Sequence, residues 1–485
     1  MDLLTPVGGI AAVLVGAALV AGLVERGPIS FPIIFLGAGL ILGDGVTGAV
    51  HIDLHAPILE IVAFVTLALV LFLDAVRLET KEMRRDWLIP ALTLGPGTIS
   101  VIALVATAGV VLLDLSWTVA FIAGAALAST DAVVLRDVLR DKRIPGPVRR
   151  SLSIEAGTND VIVLPPVLIL ATVAAAKAAT AADWAWFGVQ LFLIGPAIGA
   201  AVGAGGAWAM SRVDRRTPVR TEYQALYGVG LVLTAFTLGE WLGADGFLAS
   251  FAAGAAVALT NNDLCECFLE FGEVVAEMAM LLTFVLFGAV LSPMLGETVG
   301  PPVLIFAAFT IFVARPLPLL SVLSIRHTEL SHPARAFIAW FGPRGLNSLL
   351  LALIAVGAGV PNGERLFAII GVVVVTSVVL HGVSATPLSA WYGRSVERTT
   401  QPEERHATAT GLFIADPASQ QRISVDALAT LLASADPPIV LDVRSRSAFE
   451  QSDAQIPGSI RLRLNEIDAW AEHQTKDRLV VLYCT

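Results

Sequence analysis

The chain has 485 residues, of which 56% are hydrophobic and only 15% charged, a balance too apolar for a soluble domain of this size. Its formal net charge of −10 argues against nucleic acid as a partner, because phosphate binding needs a clustered basic face. Three cysteines, Cys265, Cys267 and Cys484, are too few for a disulfide framework.

Polar breaks divide the first part of the chain into thirteen apolar segments, at 5–24, 28–43, 57–76, 88–113, 117–137, 148–176, 184–210, 222–241, 244–260, 273–292, 301–324, 333–358 and 365–390. A span needs roughly 20 residues, so each segment can cross a bilayer, the second and ninth being the shortest. Only Asp2 precedes the first apolar run, with no basic region or small-residue cleavage site, so that run is read as a retained span. The reading is an all-α polytopic membrane protein.

Basic residues alternate between loops. Arg77, Lys81, Arg84 and Arg85 follow the third span; Arg136, Arg140, Lys142, Arg143, Arg149 and Arg150 follow the fifth; Arg212, Arg215, Arg216 and Arg220 follow the seventh. Short cytoplasmic loops are enriched in Lys and Arg, which puts the N-terminus outside and residue 392 onward in the cytoplasm of a cell-membrane protein. The acidic loop 261–273 breaks the trend, but acids weigh little in it.

Span two, Phe35-Leu-Gly-Ala-Gly-Leu-Ile-Leu-Gly43, pairs with span nine, Phe247-Leu-Ala-Ser-Phe-Ala-Ala-Gly-Ala-Ala256, and span three pairs with span ten, Thr283–Val290. The offset of seven spans is odd, so the second copy crosses in the opposite sense, the inverted-repeat plan of secondary transporters. The same offset pairs span five, with Ser129-Thr130-Asp131, and span twelve, with Phe341-Gly-Pro-Arg-Gly-Leu-Asn347. Pro343 cannot donate to the carbonyl of Ala339, so span twelve is expected to be broken there, with Ser129 and Thr130 helping to unwind span five.

Span six carries Glu155-Ala-Gly-Thr-Asn159-Asp160. Ionisable side chains at membrane depth are costly and usually mark an ion or proton path. Glu155 and Asn159 share a helix face, whereas Asp160 is turned by about 140° from Glu155. Glu155 is therefore expected to pair with a neighbouring helix, through Arg344, and Asp160 to face the ion path. Asp160, Asp131, Thr130 or Ser129, and water form an oxygen set for a monovalent cation, with Asn159 bracing the crossing. The carbonyls of Val161 and Ile162, freed by Pro165 and Pro166, add acceptors nearby. Proton and cation then compete for one carboxylate, and a barrier that passes only the neutralised site enforces exchange. An amide rather than a second acid at Asn159 favours an electroneutral cycle. Arg315 lies deep enough to stabilise broken backbone, with a snorkelling arginine at a helix end as the alternative, and is left out of the site; His381 is read as a satisfied core histidine and Cys265-Glu-Cys267 as a solvated loop; Glu60, Asp74 and Glu240, near predicted span ends, receive no role.

Ser129-Thr-Asp131, Glu155-x-x-x-Asn-Asp160, Ala314-Arg-Pro316, Gly342-Pro-Arg-Gly345 and Leu380-His-Gly382 resemble the motifs of sodium/proton antiporters of the monovalent cation:proton antiporter family. The similarity covers about residues 1–393. It implies thirteen spans with crossed discontinuous helices five and twelve, a homodimer, no cofactor, and one-for-one exchange of Na⁺, sometimes K⁺, for H⁺. It carries the ion-site role onto Asp160, Asp131 and Thr130, the bracing role onto Asn159 and the ion-pair role onto Glu155 and Arg344. A K⁺/H⁺ antiporter and an uncoupled cation channel or sensor are the alternatives within the membrane part.

Residues 394–421 read as a polar linker. In 422–485, Ile423–Leu432 has helical periodicity, Ile439–Val443 and Leu479–Tyr483 are short strands, and Pro457-Gly458 marks a turn. This part resembles a partial rhodanese domain through Leu441-Asp-Val-Arg444, Phe449-Glu450 and Ile456-Pro-Gly-Ser-Ile460, which puts the family's loop nucleophile at Cys484. Without a nest of backbone amides after it, that thiol has no support as a nucleophile, so a membrane-anchored sulfurtransferase is the least favoured reading.

Overall fold

The structure is a computed structural model that describes residues 4–24, 30–77, 88–141, 143–177, 180–260, 268–325, 330–398, 423–434, 437–442, 454–462, 470 and 478–483. Lys81, Arg84, Arg85, Lys142 and the three cysteines lie outside the described residues. The chain divides into two units, residues 1–408 and 409–485.

Among its described residues the regular elements of the first unit are all helices. Its elements are α1 (Leu4–Val24), α2 (Phe31–Leu42), α3 (Pro57–Arg77), α4 (Leu88–Leu113), α5 (Trp117–Ala126), α6 (Arg136–Arg140), α7 (Gly146–Ala174) and α8 (Ala181–Asp214). They are followed by α9 (Thr221–Trp241), α10 (Gly246–Thr260), α11 (Glu273–Thr298), α12 (Pro301–Leu323), α13 (His332–Trp340), α14 (Leu346–Gly357) and α15 (Gly363–Arg398). Among the described residues seven helices, α3, α4, α7, α8, α11, α12 and α15, are long and apolar enough to cross a membrane. α2, α5, α10 and α14 are shorter and apolar.

Two breaks interrupt the pattern where the sequence reading expects them. Span five stops at Ala126 and resumes as α6 at Arg136, and span twelve stops at Trp340 and resumes as α14 at Leu346. Span six is continuous: α7 runs unbroken through Pro165 and Pro166, whose missing N–H groups leave the carbonyls of Val161 and Ile162 without their helical donors. The ring of proline clashes with the preceding turn, but one flank of α7 is exposed here, as Ile162 shows, and a helix can bend away there.

The helices sort into two bundles. α2, α3, α8, α9, α10 and α11 pack together, as do α4, α5, α7, α12, α13, α14 and α15. α3 meets α7, and α11 and α2 meet α15, along the seam between them. Glycine sets the closest approaches. A Cβ on Gly288 of α11 would collide with the Leu36 carbonyl and Gly39 of α2, and a Cβ on Gly254 of α10 would collide with the Phe72 carbonyl of α3. Under the inverted repeat α2 corresponds to α10 and α3 to α11, so these two crossings are one contact seen twice.

The second unit contains α16 (Val425–Leu432) and a three-stranded parallel sheet of β1 (Ile439–Asp442), β2 (Ile460–Arg461) and β3 (Val480–Tyr483), in the order β2-β1-β3. Ser424 caps α16 through the Ala427 amide. Tyr483 donates its hydroxyl to the buried Asp442 carboxylate at 2.8 Å, and Gly458 takes a positive φ of 79° in the turn before β2.

Candidate ion site at the crossing of two broken helices

The unwound segments 127–135 and 341–345 cross and bond directly, the Asp131 amide donating to the Pro343 carbonyl at 3.0 Å. Unwinding exposes carbonyls at the C-terminal ends of α5 and α13, which carry partial negative charge. One arginine meets each end. Arg344 donates through Nη1 to the carbonyls of Ala128 and Ser129, both at 2.9 Å. Arg315 donates through Nη2 to the Phe341 carbonyl at 3.0 Å and the Ile338 carbonyl at 3.5 Å.

The N-terminal end of α14 is met by the opposite charge. Asp131 Oδ2 accepts from the Leu346 amide at 2.7 Å, while Oδ1 accepts from the Val133 amide at 2.8 Å and more weakly from Val134 at 3.4 Å. Gly345 permits this approach, since a Cβ there would overlap the Asp131 carboxylate. Asp131 thus has both oxygens engaged in holding the crossing. The break in span twelve is also clamped from α15. The Arg344 amide donates to Ser377 Oγ at 2.7 Å, Ser377 Oγ lies 3.1 Å from His381 Nδ1, and His381 Nε2 lies 3.1 Å from the Trp340 carbonyl. His381 Nδ1 also lies 2.9 Å from the Ser377 carbonyl, so both ring nitrogens face main-chain acceptors.

Asp160 is 2% exposed and joins both broken helices. Ser129 Oγ donates to its Oδ1 at 2.5 Å, and Asn347 Nδ2 donates to its Oδ2. Asn159 donates to the Ala128 carbonyl at 2.8 Å and lies 3.5 Å from Thr130 Oγ1. The Oδ1 atoms of Asn159 and Asn347 are buried without a hydrogen-bond partner among the described residues. Asp160, these two amide oxygens and the hydroxyls of Ser129 and Thr130 are hard oxygen donors of the kind that alkali cations take.

The expected Glu155–Arg344 pair is corrected. Glu155 Oε1 pairs with Arg315 Nη1 at 2.7 Å, both side chains being about 95% buried or more, while Arg344 bonds the α5 carbonyls. Of the two roles open to Arg315, the side chain takes the bracing one, turning inward to the α13 carbonyls, which offer acceptors that the hydrocarbon does not. Asp74 is also corrected: it is 3% exposed rather than wetted at a span end. It faces α7 across the seam, where a Cβ on Gly157 would lie 3.4 Å from its Oδ1, and Arg77 Nη1 is 3.8 Å away. Asn347 was missed as a site residue, although a carboxamide in the apolar run Leu346–Gly357 was a visible signal.

The sodium/hydrogen exchanger transmembrane profile matches residues 11–391 of the chain. A K⁺/H⁺ antiporter NhaP from Alkalimonas amylolytica is 27% identical over 374 residues, which cover 77% of this chain and 64% of that protein. The chain therefore spans less than two thirds of that relative's length. A Na⁺/H⁺ antiporter 2 from Zygosaccharomyces rouxii is 26% identical over 309 residues, covering 60% of this chain and 38% of that protein. The fold is similar to the sodium proton antiporter MjNhaP1 from Methanocaldococcus jannaschii, with a TM-score of 0.64 at 21% identity over 81% of this chain and 98% of the other.

Proposed function

The chain belongs to the sodium/hydrogen exchanger family, and we propose from that premise that it is a secondary transporter, not an enzyme, exchanging Na⁺ for H⁺ across the membrane. The observation that carries this reading is Asp160, a carboxylate buried where two broken helices cross and held by one donor from each repeat. A carboxylate so enclosed passes between the two sides only when a proton or a cation neutralises it. Binding one excludes the other, and movement of one bundle past the other along the seam then couples their fluxes. Ser129, Thr130 and Asp160 supply ligands to the ion; Asp131, Asn159, Glu155, Arg315 and Arg344 keep the crossing rigid enough to present them. With one exchangeable charge at Asn159-Asp160, the cycle is electroneutral at one ion for one proton.

K⁺ in place of Na⁺ is the second reading, favoured by the K⁺/H⁺ antiporter name of the Alkalimonas relative. The basic loops put the N-terminus outside and the tail in the cytoplasm. The protein works as a homodimer in the cell membrane, with residues 422–485 as a rhodanese-like appendage. In everted vesicles carrying a ΔpH dye, the native protein collapses the gradient on addition of NaCl, and the same assay with KCl and LiCl ranks the ions. Conductance without proton movement means an uncoupled channel and ends the exchange reading; turnover of thiosulfate assigns the tail a chemistry of its own.

A further inference from the structure

Asn347 stands on the second residue of α14 and is 4% exposed, and its carboxamide is divided between two environments. Nδ2 donates to Asp160 Oδ2, and Oδ1 has no partner among the described residues. A buried amide oxygen without a donor is costly and rarely left so without a use. The other Asp160 oxygen is held by Ser129 of the first repeat, so Asn347 is the link between the carboxylate and the second repeat. A carboxamide is donor and acceptor at once. Its NH₂ suits a bare carboxylate, but the positive end of that dipole opposes a cation arriving at the same oxygens. Half a turn about the terminal torsion, which is soft for an amide, brings Oδ1 round in its place.

We propose that Asn347 is a ligand and specificity residue for the transported monovalent cation, donating to Asp160 when the ion is absent and turning its amide oxygen to the ion when it binds. The inference rests on the exchange reading above and adds a cation contact from the second repeat. Because α14 begins at this residue's neighbour, the turn also reports the state of Asp160 to the half-helix that the crossing positions.

The test uses the purified full chain in liposomes, with exchange followed against Na⁺ and K⁺ concentration over a range of pH. Asn347→Leu, similar in size and without polar atoms, raises the apparent KM for the cation about tenfold, the scale of one lost neutral contact to an ion, with the maximal rate largely kept. Since protons compete for Asp160, its pH profile moves in the alkaline direction, and the fall in Na⁺ affinity measured without turnover separates lost cation ligation from the lost donation to Asp160. Asn347→Ser, which restores an oxygen on a shorter arm, falls between. Native KM and native pH profile in Asn347→Leu overturn the proposal. If that variant does not reach the membrane, Asn347→Ala and Asn347→Ser are read by the same two measures, and native values in both overturn it equally. Sodium binding to each variant, measured by calorimetry, is independent of turnover: a native protein that binds Na⁺ without exchanging it fails the exchange reading, whereas unchanged affinity in the variants fails this one.

Discussion

Glu155 and Arg315 illustrate how position decides what a buried charge does. Removing one member of a buried pair leaves the other uncompensated, at a cost on the order of 3–5 kcal/mol. The two residues are not equivalent, however. Among the described residues Glu155 hydrogen-bonds the Arg315 guanidinium, whereas Arg315 also holds the carbonyls of Ile338 and Phe341. Arg315→Met should therefore lower the melting temperature in detergent more than Glu155→Gln, and adding Glu155→Gln to Arg315→Met should recover only part of the loss. Equal losses, or full recovery in the double variant, would mean that the α13 carbonyls do not need their donor. From the sequence, the importance of Glu155, Asn159 and Asp160 was legible because polar groups at membrane depth are expensive. Which arginine served which partner was not, since Arg315 and Arg344 lie 29 positions apart in the chain and only the crossing sorts them.

Both broken helices were foreseeable as elements, because Gly342-Pro-Arg-Gly345 cannot continue an α-helix and Ser129-Thr130-Asp131 can satisfy its own backbone. How the breaks fit together was hidden, since it depends on Asp131 capping a helix that begins 215 residues later. Gly345→Ala tests that fit. The added Cβ overlaps the Asp131 carboxylate, so the variant should lose exchange and show faster hydrogen exchange in the segments flanking both breaks, with the α2–α11 packing unaffected. Native protection at the breaks would show that the crossing has room to spare. Pro165-Pro166 lies inside α7 without ending it, whereas Pro343 lies in the break between α13 and α14. In the second unit the helix at Val425–Leu432, the two expected strands β1 and β3 and the Pro457-Gly458 turn follow the local pattern within a residue or two, β2 was not anticipated, and the nucleophile position, Cys484, lies outside the described residues.

At the scale of the whole molecule, two bundles share a seam, and charge ties the seam at the end that carries the basic loops. Arg136 of α6 pairs with Glu277 of α11, Arg140 reaches Glu273 across the seam at 3.9 Å, and Arg77 of α3 meets the same Glu273 at 3.2 Å from within the α11 bundle. Exposed pairs contribute about 0–1 kcal/mol, but Arg136–Glu277 is half-buried and links the broken span to the opposite bundle. Glu277→Gln should loosen that link, seen as faster hydrogen exchange across residues 127–140, while exchange in α8 and α10 stays native. Unchanged exchange in 127–140 would remove this pair from any part in the movement of the bundles. The inverted repeat itself was readable from span order, and its physical basis is the reciprocal pair of glycine crossings, α2 on α11 and α10 on α3.

A single carboxyl group, at position 160, is proposed to carry the exchange. Purified protein with Asp160→Ala, reconstituted in liposomes and driven by an outward sodium gradient, should move no protons above the rate of empty liposomes while melting as one folded species. Proton uptake at the native rate in that variant would contradict the account.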